Sequence, residues 1–324
     1  MQTDCNSNNP MHRHPANLEE VRRRLAGVRG FSGVGFGLKD TAGKRIPLLS
    51  WRVYVTEKLP RKLLSPGGLV PSWLLGFPTD VVRRESTCAS SFGNRQDAFE
   101  GAMIANQKGV PGTLGCWAWS AVTGEPVLLS NYHVLFGRRC RPGDVIWRVR
   151  PGHPKNDFQP IARSLLGKAG NIKFRGTDYF IDAAIGVKDG SADATCEEST
   201  TESPLAAADA VVGSLVTKCG AATGRTVGRI VDVCYPDRWH YDLESAAAPN
   251  QLLIQPEFDA SSEKSEAFSR MGDSGAVIRE DAGRVVGLLW GSNARGEGVA
   301  CHIGPVMKEL GIRLEPPADS RVAL

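Results

Sequence analysis

The chain has 324 residues, 41% of them hydrophobic, with 39 Lys and Arg against 35 Asp and Glu and a net charge of +4. That length suits one large domain plus a small one, or two closely packed barrels, and the charge is balanced apart from the short run Arg22, Arg23, Arg24, which excludes an electrostatic surface for nucleic acid. No stretch reaches the ~18 apolar residues of a membrane span, and "MQTDCNSNNPMHRHP" lacks the apolar core of a signal peptide. The expectation is a soluble, cytoplasmic chain with no membrane partner.

Residues 1–16 are polar, contain Pro10 and Pro15, and read as a disordered tail in which His12 and His14 are solvated. From 17 to 86 the pattern runs helix ("NLEEVRRRLAGV"), strand ("GVGFGLK"), strand ("LLSWRVYVTE"), a Pro-rich stretch and strand ("FPTDVVR"), which predicts a small α+β domain. The arginine triplet falls on the solvated face of that helix. Within this unit "GFSGVGFG" is not a dinucleotide loop, because a turn rather than a helix follows it. Its glycines read instead as places where backbones approach closely. Residues 87–108 show no period and read as a linker.

From 109 the texture changes to short β-type runs punctuated by Gly, Pro, Asn and Asp: "GTLGCWAW", "EPVLLS", "DVIWRV", "YFIDAAIGV", "GSLVTK", "GRIVDV", "QLLIQ", "GAVIR" and "VVGLLWG". Such spacing predicts an all-β sandwich or barrel, and about 200 residues of it suit two barrels. The polar loop "DGSADATCEESTTESP" falls between them, "GPVMKELGI" predicts a closing helix at the end of a 109–316 domain, and 317–324 reads as a tail. The eight cysteines include no C-x-x-C pair and are dilute for a disulfide scaffold, so free thiols are expected. Cys116 and Cys140 bracket His133, and a bridge there stays open. No metal-ligand cluster and no organic cofactor are implied.

Three segments of the β region carry chemistry. In "LLSNYHVL" an apolar strand ends on His133; in "DYFIDAAIGV" Asp182 interrupts an apolar run, where an ionised carboxylate needs a partner. In "RMGDSGAVI" glycines flank Ser274 and permit a tight backbone that exposes its hydroxyl. Together these residues supply a nucleophile, a base and a buried orienting carboxylate, in the chain order His, Asp, Ser.

These motifs resemble those of the trypsin-like (chymotrypsin-fold) serine proteases, in their bacterial form. "LLSNYHVL" is similar to the family's His motif, "DAAIG" to its Asp motif and "GDSGA" to its nucleophile motif, with Ala276 in place of the usual second glycine. "VTKCGAATGRTVGRIVDV" and "LLWGS" are similar to strands of the second barrel. The resemblance implies a mainly β fold of two six-stranded antiparallel β-barrels, preceded by the small α+β domain. It also implies a serine endopeptidase acting on protein or peptide substrates through His133, Asp182 and Ser274.

The same resemblance assigns the oxyanion hole to the N–H groups of Gly272 and Ser274. It places Phe268 at the base of the substrate pocket, with Trp290, Gly291 and Gly298 along its walls. No carboxylate stands at the pocket base, so apolar or small side chains are expected before the cleaved bond. An "IVGG"-like segment is absent, which leaves Asp273 without the freed N-terminus that pairs with it in animal members. Arg270 or Arg279 is expected to replace that partner. The N-terminal domain is expected to regulate, or to recruit a regulatory partner, so that removing 1–108 leaves the chemistry in place if the barrels fold. The alternative is a catalytically silent trypsin-like fold serving as a binding module.

Overall fold

The computed structural model describes residues 15, 17–41, 44–59, 64, 68–84, 87–88, 100–150, 157–189, 206–242, 244–257 and 267–317. Nearly all of the N-terminal tail, 89–99 of the expected linker, 190–204 of the polar loop and 318–324 lie outside the described residues.

Two largely antiparallel sheets make up most of the rest. In the first, eight strands follow the spatial order Ile312–Arg313, Cys116–Ser120, Pro126–Ser130, Thr177–Lys188, Asp157–Phe174, Val145–Arg150, Met103–Ala105, Pro111–Thr113. Residues 180–186 in the middle of Thr177–Lys188 are continuously buried, which explains why this strand reads as an apolar run and not as an alternation. This sheet takes the place of the expected first barrel and is consistent with it: its eight strands include the short edge pieces Ile312–Arg313, Met103–Ala105 and Pro111–Thr113, and no closing pair is recorded among the described residues. Met103–Ala105 comes from the presumed linker.

In the second sheet, Leu215–Gly220, Val277–Glu280, Val285–Asn293, Gly298–His302, Glu244–Pro256 and Gly224–Tyr241 pair in that order. The last strand pairs back with the first, so these six form a closed ring of pairings. The ring does not end there. Phe31–Thr41 pairs with Gly224–Tyr241 at Gly37 opposite Asp232, Lys44–Val55 lies beyond it, and Phe77–Arg83 adds a parallel strand.

The N-terminal unit is thus an extension of the second barrel, with a shared core. Helix Leu18–Leu25 buries Leu18, Val21 and Leu25, one face of a 3.6-residue period, while Glu19, Glu20 and the three arginines pair on the other. Those apolar residues belong to one cluster with Ile230, Leu252 and Ile278 of the barrel. A Cβ on Gly37 would lie 1.9 Å from the Val231 carbonyl oxygen, and one on Gly35 would lie 2.2 Å from Asp232 Oδ2. Both glycines are demanded by this close approach.

Deleting residues 1–86 is accordingly expected to unfold the barrel. The truncation strips the cover from Ile230, Leu252 and Ile278, and it removes two of the donors to Asp232, a fully buried carboxylate that accepts Tyr54 O–H at 2.6 Å and Phe36 N–H at 3.0 Å and would keep only the Cys234 N–H among those three. Circular dichroism and limited proteolysis of the truncated chain check this. A cooperatively folded product would show that the shared core is dispensable.

Candidate active site

His133 follows directly from strand Pro126–Ser130. Asn131 is extended, and the chain then turns into the short helix Tyr132–Leu135. Two side-chain amides hold that turn: Asn106 Nδ2 donates to the carbonyls of Val134 and Gly137, and Asn131 Nδ2 donates to the Asp182 carbonyl at 2.6 Å. The His133 ring lies 2% exposed, with Nδ1 2.6 Å from Asp182 Oδ2, while its backbone N–H donates to Oδ1 at 3.1 Å. A carboxylate facing Nδ1 fixes the proton there and leaves the Nε2 lone pair available.

Asp182 is fully buried. Its charge is compensated by a further donor, Trp239 Nε1–H, 2.5 Å from Oδ2. Its own backbone N–H donates to Cys301 Sγ at 3.2 Å, and burial with the nearby carboxylate pushes the Cys301 thiol well above its ordinary value. Cys116 and Cys140 are both free, and burial pushes Cys116 up to about 12.

Ser274 lies in a turn in which Gly272 and Gly275 have φ of 105° and 103°, a left-handed region that side chains resist. A Cβ on Gly275 would also lie 2.2 Å from the Thr113 carbonyl oxygen and 2.4 Å from Ser130 Oγ. Thr113 clamps this turn from the first sheet: its N–H donates to the Ser274 carbonyl at 2.8 Å and its hydroxyl to the Gly272 carbonyl at 2.7 Å. Gly112 fits between Val134, the neighbour of His133, and the Ser274 carbonyl. The segments carrying His133 and Ser274 therefore face each other across a few ångströms.

The Ser274 hydroxyl itself donates to the Trp290 carbonyl at 3.0 Å, and Ser274 is 5% exposed. Among the described residues it makes no hydrogen bond to His133, and no acceptor engages the N–H of Gly272 or Ser274.

Asp273 has a basic partner, and it is neither arginine. Lys218 Nζ sits 2.9 Å from Asp273 Oδ2, with both side chains fully buried. Arg270 contributes only its backbone N–H, at 3.0 Å, while Arg279 pairs with Glu100. The N–H groups of Ala222 and Thr223 and the Thr223 hydroxyl complete the carboxylate's shell. Burial pulls the Lys218 ammonium below its ordinary value, and Asp273 works against that pull. Lys218 was legible in principle: in "LVTKCG" it shares the inward phase of the strand with Val216.

The pocket residues divide. Phe268 is fully buried, its ring close to both Gly228 and Gly298, and its carbonyl accepts the Thr226 hydroxyl at 2.7 Å. Trp290 does not line a cleft with its side chain. It is a core residue, fully buried against Phe180, with Nε1 donating to Gln251. Only its carbonyl meets Ser274. Gly291 follows it, and the next residues, Ser292 and Asn293, pair on one edge with Thr87–Cys88 of this same chain. An open cleft of about 910 Å³ lies elsewhere, between the N-terminal helix and residues 236–238, and contains none of the three chemistry-bearing residues.

No protein-family model and no curated protein sequence matches the chain. Among solved structures it is similar to Cellulomonas bogoriensis chymotrypsin, at 15% identity and TM-score 0.40 over 68% of this chain and 100% of that one. It is similar to a glutamic-acid-specific serine protease reported to use a histidine triad in substrate binding, at 15% identity and TM-score 0.44 over 67% and 99%. A third is Thermobifida fusca protease A, at 13% identity and TM-score 0.42 over 68% and 98%. All three of these solved structures are proteases.

Proposed function

We propose that the chain is a serine endopeptidase that hydrolyses peptide bonds through His133, Asp182 and Ser274 by way of an acyl-enzyme. The observation that carries this reading is the buried His133–Asp182 pair, with Nδ1 committed to the carboxylate at 2.6 Å and Ser274 held opposite by the Thr113 clamp. In the reaction the Ser274 hydroxyl turns from the Trp290 carbonyl to His133 Nε2. That nitrogen takes the proton as Oγ attacks the peptide carbonyl, and later delivers it to the leaving amine. Asp182 stabilises the imidazolium formed on the way. The N–H groups of Gly272 and Ser274 take the developing oxyanion, each such donor contributing ~3 to 4 kcal/mol. Water, deprotonated by His133, then releases the acyl group.

A peptide substrate fits as an added strand along the edge at Ser292 and Asn293, where main-chain pairing supplies affinity without demanding one sequence. Thr87–Cys88 takes that edge in this structure, so substrate must displace it. The absence of a carboxylate at Phe268, together with Gly298 beside that ring, supports a preference for apolar or small side chains before the cleaved bond. The preference is graded, because a methylene is worth only ~1 to 3 kcal/mol. Profiling cleavage of a mixed peptide library tests it: sites dominated by Lys, Arg or Glu would contradict the pocket assignment.

One observation favours a second reading, a catalytically silent fold that binds partners. The Ser274 hydroxyl is bonded to a carbonyl, and both His133 and Ser274 are nearly covered. Reaction of Ser274 with a fluorophosphonate separates the two readings.

A further inference from the structure

A carboxylate that orients a histidine works only if its own rotamer is fixed. Asp182 is held at both oxygens: Oδ1 accepts the His133 backbone N–H at 3.1 Å, and Oδ2 accepts His133 Nδ1–H at 2.6 Å and Trp239 Nε1–H at 2.5 Å. The indole reaches the site from the outer part of strand Gly224–Tyr241, where Trp239 stands opposite Ala246. It is 2% exposed, and its ring packs against Phe180 and Tyr241 at 5.9 and 6.2 Å. Tyr241, two residues on, lies with its ring 5.4 Å from that of His133. The same arm is anchored from the N-terminal unit, by Arg84 on Asp237 at 2.7 Å and by Tyr54 on Asp232 at 2.6 Å. A buried tryptophan N–H needs a hydrogen-bond partner. This one meets the carboxylate that faces His133.

We propose that Trp239 is a positioning residue, whose indole N–H fixes the Asp182 carboxylate and, through it, the ring and proton of His133. The catalytic consequence rests on the serine-peptidase reading, whereas the positioning can be measured in a protein that cleaves nothing. Two further neighbours border the site: the Cys301 sulfur, which accepts the Asp182 N–H, and the Tyr241 ring over His133.

The test replaces Trp239 with β-(3-benzothienyl)alanine by stop-codon suppression, which exchanges the N–H for sulfur and keeps both rings. In protein carrying isotope-labelled histidine, the expected result is a displaced and faster-exchanging Nδ1 proton of His133. Fluorophosphonate labelling of Ser274 slows about tenfold. Trp239→Phe is the second variant and shifts the same signals in the same direction. An unchanged Nδ1 proton, in position and in exchange rate, in the benzothienyl protein would overturn the inference, even if labelling slowed. A wild-type protein that the probe leaves unmodified would overturn the peptidase reading, and the Nδ1 signals would still decide the positioning.

Discussion

Ser274→Ala should lower peptide hydrolysis by ~10⁴- to 10⁶-fold while leaving the melting temperature nearly unchanged. The rate falls because attack and acyl-enzyme formation both need Oγ. Stability holds because that oxygen makes one hydrogen bond, to the Trp290 carbonyl, worth only ~1 kcal/mol net. Adding His133→Ala to Ser274→Ala should cost almost no further rate, since the base has no nucleophile left to serve. The double variant should be less stable, however, because it leaves the buried Asp182 carboxylate without its imidazole partner. Steady-state hydrolysis of a fluorogenic peptide and thermal denaturation check both halves. Independent, multiplying rate losses in the double variant would mean that the two residues do not act as a unit.

Lys218→Met should destabilise the fold by ~3 to 5 kcal/mol, the usual cost of removing one partner of a buried ion pair. For a chain of 324 residues that is a fall in melting temperature of roughly 4 to 7 °C. The Asp273 carboxylate keeps its backbone and hydroxyl donors but loses its countercharge. Asp273 immediately precedes Ser274, so the turn that presents the two unengaged N–H groups should loosen as well, and activity should fall with stability. Lys218→Met combined with Asp273→Asn should regain part of the loss, because no uncompensated charge stays buried. Strictly additive losses would show that the pair does not interact energetically.

Much of the site was readable because its residues break local patterns: Asp182 inside an apolar run, His133 at a strand end, and Ser274 between glycines. In the structure His133 and Asp182 meet, whereas the Ser274 hydroxyl goes to the Trp290 carbonyl. Trp239 broke no pattern. It lies beyond the predicted strand "GRIVDV", which the structure extends to Tyr241 across register shifts near Asp232, Tyr235 and Asp237. Pro236, Asp237 and Arg238 hid that extension from any rule based on alternation. The 18-residue strand Asp157–Phe174 escaped for a similar reason, since its glycines, lysines and interspersed polar residues show no period of two. The shared core of the N-terminal unit and the second barrel depends on contacts such as Gly37 against Val231. Sequence indicated only that those glycines meet some backbone, not which one.

An activated Ser274 should react covalently with an electrophile that leaves ordinary serines alone. Treating the full-length protein with a fluorophosphonate and mapping the adduct by peptide mass spectrometry tests it most directly. One modified residue, Ser274, is expected, with labelling lost in Ser274→Ala and abolished by prior denaturation. A protein that remains unmodified, or one modified equally at other serines, would contradict it.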